Sequence, residues 1–197
     1  LNQDDQPAVQ VTWEQAAQIY ESIVADDAAL QNRINQAQAL QKLGFYRRAI
    51  AILTPITEQL QSQPESAAQA VALRSLGDAL QFVGDTEQAQ SVLAASGLVA
   101  RHLQRSDLAD SAQLSLANTF RTQGNTSNAL STYQSLVQTT ASDDIRIQAL
   151  SNQVSLLVET EQTVQAQALW PMVQAQFDRI PPSQSAVFAR VNVAQSY

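Results

Sequence analysis

The chain has 197 residues, a net charge of −7, one histidine and no cysteine, and its pI is near 4.5. Without cysteine there is no disulfide framework, thiol nucleophile or cysteine-ligated metal site, and the negative charge argues against nucleic acid as a partner, because phosphate backbones repel it. No apolar run approaches the ~20 residues needed to span a bilayer, so membrane insertion is not expected, and none of these features assigns a compartment.

Alanine, leucine and glutamine dominate, and all three favour helix through a low side-chain entropy cost. The predicted class is all-α. In chain order the helices are expected at 12–24, 27–43, 46–61, 65–83, 86–101, 107–123, 126–139, 143–160, 163–178 and 183–197, about ten in all. Thr12 with Gln15 reads as a capping box. Asp26, Ser106 and Ser142 stand before apolar-periodic runs, and Pro64 precedes Glu65 in a first turn. Pro55 and Pro171 fall inside helices and are expected to kink them.

These helices repeat. Gly44, Gly84 and Gly124 stand 40 residues apart. Seven residues before each is a small residue (Ala37, Gly77, Ala117), and four before is a large apolar one (Leu40, Leu80, Phe120). Five residues after each comes alanine (Ala49, Ala89, Ala129), and nine after comes Leu53, Leu93 or Tyr133. The glycine is read as the corner of a helical hairpin, because it accepts a left-handed backbone without steric cost. A further unit has Glu161 at the glycine position, with Val154, Leu157, Ala166 and Trp170 in register. Full units are expected at 27–61, 65–101, 107–139 and 143–178. They are flanked by a second helix alone at 12–24, with Ala16 and Tyr20 in register, and a first helix alone at 183–197. This pattern, and Leu1 in place of Met, is what a slice from a longer array would show.

The order of small residue, large apolar, corner glycine, alanine and aromatic or leucine resembles the tetratricopeptide repeat (TPR). The resemblance implies a right-handed α-solenoid whose first helices line a concave groove, and a module that binds proteins or peptides. The 40-residue period exceeds the family's usual 34. The family's early tryptophan is replaced by Arg33, Leu73 and Gln113, and its terminal proline is mostly absent. The stretches "INQAQALQKLGFYRRAIAIL", "LRSLGDALQFVGDTEQAQSVL" and "NQVSLLVETEQTVQAQALWP" resemble more closely the Gln-rich TPR regions of bacterial proteins that end in a caspase-like CHAT module. That resemblance implies a protease module downstream and a sensing or partner-binding role for this region.

Chemistry-bearing residues are few. His102, beside Arg101 and Arg105, lacks the partners a catalytic or metal role demands and is read as exposed near a helix C-terminus. Asp26–Asp27 and Asp143–Asp144 are read as helix-start carboxylates, Asp4–Asp5 as a solvated tail, and Arg47–Arg48 as a solvated face. Trp13, Tyr20, Phe45, Phe82, Phe120, Tyr133 and Trp170 are read mostly as repeat core. No catalytic, cofactor or metal set emerges, so a non-enzymatic role is expected. The groove face, counted from the repeat register, comprises Gln31, Ile34, Gln38 and Gln41, then Arg74, Asp78 and Gln81. It continues with Leu114, Asn118 and Arg121 and ends at Ser151 and Ser155. Arg74, Asn118 and Arg121 resemble in part the carboxylate clamps of chaperone-binding TPR proteins, though without their lysines. The partner expected is a protein or peptide. The competing expectation is a structural spacer that self-associates through its end helices.

Overall fold

The computed structural model describes residues 26–179, and all regular structure among them is helical. Helix α1 covers 26–42. It is followed by α2 (Tyr46–Gln61), α3 (Ala67–Phe82), α4 (Thr86–His102), α5 (Ser106–Thr122), α6 (Thr126–Thr139), α7 (Asp143–Glu159), α8 (Thr163–Ala168) and α9 (Trp170–Arg179). There are thus eight helices from Tyr46 onward, with α1 before them. The expectation of about ten includes segments at 12–24 and 183–197, which lie outside the described residues.

The hairpin corners share one construction. Gly44, Gly84 and Gly124 have φ of 80°, 89° and 73°. After each glycine, the next N–H reaches back five residues: Phe45 to the Leu40 carbonyl, Asp85 to Leu80, and Asn125 to Phe120, at 2.8–3.0 Å. The glycine N–H itself bonds the carbonyl three residues back, completing a Schellman cap. A Cβ at any of these glycines would meet nothing within 4 Å. The left-handed backbone is therefore what selects glycine there. Glu161, φ 60°, makes the same corner with the same bonds, Gln162 to Leu157 and Glu161 to Val158. Gln104, φ 55°, repeats it between α4 and α5, at a link between units that the glycine spacing does not mark.

The other repeat positions are core. Ala37, Ala117, Ala49, Ala89, Ala129 and Leu53 are fully buried, as is Tyr133, while Leu93 is 1% exposed. Gly77 has its own reason. A Cβ there would lie 2.5 Å from Leu93 Cγ, so α3 and α4 meet only because position 77 has no side chain. Each first helix packs on the second helix of its own unit, and the first helices also touch one another, α3 on α5 and α5 on α7. The result is an inner row of first helices backed by an outer row, which is a solenoid.

Some local details differ from the sequence reading. Ser142 caps α7 as expected, accepting from the Ile145 N–H, with Asp143 and Asp144 in the first turn. Ser106 is instead the first residue of α5, and its N-cap, Arg105, offers no side-chain bond. α3 begins after Pro64 and Glu65 because Ser66 caps it through the Gln69 N–H. α2 runs unbroken through Pro55, whereas the helix expected at 163–178 divides at Leu169, just ahead of Pro171. Exposed His102 ends α4, with Nδ1 3.0 Å from the Glu65 carboxylate.

Two substitutions separate the two kinds of glycine. Gly84→Ala should cost roughly 1–2 kcal/mol, the left-handed penalty alone. Gly77→Ala should cost about 1–3 kcal/mol through overpacking against Leu93. Glu161→Gly should gain about 1 kcal/mol by relieving a left-handed non-glycine residue. Urea denaturation midpoints check all three, and no destabilisation at Gly77 would contradict the close approach of α3 and α4.

Candidate functional site

The inner row encloses a hollow of about 650 Å³. Four first helices supply its walls: Gln41 and Lys42 at the end of α1, Arg74, Asp78, Gln81 and Phe82 on α3, Ser111, Leu114, Ser115 and Asn118 on α5, and Ile145 and Gln148 on α7, with Tyr46 of α2 at one end. A second hollow of about 430 Å³ adjoins it, sharing Gln81, Phe82 and Asn118 and adding Arg121, Thr122, Asn152 and Glu159. Together they form a groove along the concave wall.

The residue three before each corner glycine ties one first helix to the next. Gln41 donates through Nε2 to the Ser75 carbonyl at 2.5 Å. Gln81, forty residues on, donates to Thr122 Oγ1 at 3.0 Å and accepts from Thr119 Oγ1 at 3.2 Å. Arg121, forty further, pairs with Glu159 of α7, its Nε donating to Oε2 at 3.2 Å. Gln38 adds a bond to Ser75 Oγ at 3.0 Å. At the centre, Asn118 Oδ1 accepts from the Tyr133 hydroxyl at 2.7 Å and from Asn152 Nδ2 at 2.9 Å.

Apart from Lys42, the groove charges are paired within the chain. Arg74 Nη1 lies 3.1 Å from Asp78 Oδ2. Crowding by protein raises the Asp78 carboxyl above its ordinary pKa, while Arg74 and a hydrogen bond from Ser115 pull the other way. Arg121 is likewise neutralised by Glu159. A ligand carboxylate would have to displace Asp78 or Glu159, so the paired arginines are poor clamps. Burial pushes the Tyr133 hydroxyl up to about 12, against a smaller opposing effect of Arg121.

The structure brings together Gln41, Arg74, Asp78, Gln81, Leu114, Asn118 and Arg121 of the expected face. Gln38 stands beside them as a strap. Ile34 and Ser151 are corrected: both are fully buried and line neither hollow. They occupy the repeat position of Arg74 and Leu114, on the border between groove and core, where Arg74 and Leu114 line the hollow and Ile34 and Ser151 are covered. Ser155 is also nearly buried. Gln31 is exposed, bonds Asn35, and lines a separate hollow beside Leu60 and Pro64. The core reading of Phe45 and Phe82 is corrected too, since they are 49% and 65% exposed. They stand at or just before corners, Phe45 after Gly44 and Phe82 at the end of α3, where they lie at the edge of the packed core. Trp13 and Tyr20 lie outside the described residues.

No family model matches this chain, and no curated protein matches it. Solved structures do. A crystal structure of putative kinesin light chain nearly identical TPR-like repeats from Podospora anserina superposes with a TM-score of 0.67 at 18% identity, over 85% of each chain. A point variant of the same repeats gives 0.67 at 17%, over 85% of this chain and 84% of that one. The fold is that of TPR-like helical repeats. At this identity the likeness speaks for fold only.

Tyr133→Phe should cost about 1 kcal/mol by removing one hydrogen bond to Asn118. The raised tyrosine pKa means the folded state holds its proton more tightly. Stability from Tyr133 is therefore complete below pH 10 and declines as pH rises toward about 12. Denaturation of wild type and variant at several alkaline pH values checks this, and an equal alkaline decline in both would contradict it.

Proposed function

We propose that the chain is a non-catalytic interaction scaffold whose inner groove holds an extended segment of another protein. The observation that carries this reading is the 650 Å³ hollow to which four first helices contribute. Its lining mixes amides (Gln41, Gln81, Asn118, Gln148) with apolar Leu114 and Ile145 and an aromatic rim at Tyr46 and Phe82. Amide side chains can meet the backbone of an extended peptide, and apolar patches take alternate side chains. The paired charges favour a segment with few charges where it crosses the floor.

The Gln-rich stretches support a finer proposal, that this array is the partner-binding region of a protein carrying a CHAT-type caspase-like module. Sequencing the gene beyond codon 197 tests it, since such a module brings a catalytic His and Cys.

The groove is tested by filling it. Ser111 and Gln148 are half-buried wall residues whose own bonds stay within their helices. The double substitution Ser111→Trp with Gln148→Trp should leave the helical circular dichroism unchanged and abolish capture of a partner from lysate. Capture equal to wild type would reject the groove and favour a spacer without its own ligand.

A further inference from the structure

Among the three glycine corners, only the one between α1 and α2 lacks a side-chain cap, a lack it shares with the Gln104 and Glu161 corners. After Gly84 and Gly124 come Asp85 and Asn125, which cap α4 and α6 by accepting from the Gln88 and Asn128 N–H groups. After Gly44 comes Phe45, which makes no side-chain cap. α4 carries Glu87 in its first turn, as the helix dipole favours. α2 carries Arg47 and Arg48 there and no acid, against the dipole. Two arginines against the dipole are a local departure that helix formation does not account for, and such departures mark places where something other than folding selects the residues.

The side chains so placed make one surface. Leu43 is 69% exposed, and Phe45 and Phe82 are also open to solvent. The Arg48 guanidinium stands 5.6 Å over the Phe45 ring. Tyr46 stacks on Phe82 with ring centroids 4.4 Å apart, and Lys42 lines the same hollow as both. No carboxylate occurs in sequence between Asp27 and Glu58. Among the described residues, no carboxylate lies within ion-pair distance of Lys42, Arg47 or Arg48. In a chain of net charge −7, cations and exposed aromatic surface are thus concentrated at one corner.

We propose that this corner is a docking site, outside the groove floor, for an acidic segment of a partner protein that carries large apolar side chains. Charge complementarity selects the acidic partner. The aromatic rings supply large, rigid contact area of the kind that carries most binding energy at interfaces. A flat anionic membrane meets the same cations, but it also meets the rest of a chain of net charge −7, which it repels.

The full chain is incubated with labelled short-peptide pools randomised over Asp, Glu, Leu, Ile, Phe and Trp, and with matched pools in which Gln and Asn, or Lys and Arg, replace the acids. Vesicles of phosphatidylserine form a separate arm. The acidic pool should bind selectively and weaken as salt rises. Phe45→Asp restores the cap, so it should raise Tm by about 2–4 °C. It should also weaken acidic-pool binding about tenfold or more, a loss of roughly 1.4 kcal/mol. Arg47→Glu with Arg48→Glu should weaken binding similarly without lowering Tm. Binding lost while stability holds or rises excludes unfolding as the cause. Equal binding of the neutral or basic pool, variants that bind like wild type, or binding confined to vesicles would each overturn the proposal. The groove-filling pair Ser111→Trp and Gln148→Trp should leave acidic-pool binding intact, which keeps the two sites separable.

Discussion

The left-handed corner is the constraint on which the rest of this structure depends. A helix end leaves carbonyls without partners, and here a residue with positive φ turns its own N–H and the next one back onto them. Gly44, Gly84, Gly124 and Glu161 do this within units, and Gln104 does it between two of them. Because the motif fixes where each first helix stops, it also fixes which residues sit one turn before the stop. Those residues, Gln41, Gln81 and Arg121, are long and polar, and each reaches the neighbouring first helix. Chain reversal and lateral spacing of the inner row are therefore set together.

The wall so built is polar but nearly neutral. Arg74 and Arg121 spend their charge on Asp78 and Glu159, and Asn118 accepts two hydrogen bonds that hold α5 to α6 and α7. The groove floor is thus largely structural, which suits a rigid surface presenting amides and a few apolar side chains. Positive charge without a carboxylate beside it instead gathers at the rim, at Lys42, Arg47 and Arg48, next to rings that no core covers. Floor and rim differ in chemistry because their residues answer to different demands, packing between helices in one case and exposure at a corner in the other.

The repeat was legible in sequence because its signals are backbone and volume requirements. Positive φ selects glycine, close helix approach selects Gly77, Ala37 and Ala117, and core positions select Leu53, Leu93 and Tyr133. Glu161 could be placed as a corner through its flanking residues. Gln104 could not, since glutamine carries no turn signal. The groove face was legible in direction but not in depth: Ile34, Arg74, Leu114 and Ser151 share a register position, yet Arg74 and Leu114 line the hollow while neighbouring helices cover Ile34 and Ser151. Phe45 and Phe82 defeat the core reading because aromatic character suggests burial, whereas their place beside a corner leaves them uncovered. The straps were invisible, because a glutamine on an inner face reads equally well as a ligand contact or as a tie to the next helix.

Backbone amide hydrogen exchange on the full chain tests the central claim most directly. If the corners are closed by Schellman bonds, the amides of Phe45, Asp85, Arg105, Asn125 and Gln162 will exchange slowly, although they lie in turns at the surface. Their protection will fall together with that of the helices they terminate. Exchange of these amides at unstructured-chain rates while the helices stay protected would contradict the account, because the corners would then neither reverse the chain nor fix the spacing of the inner row.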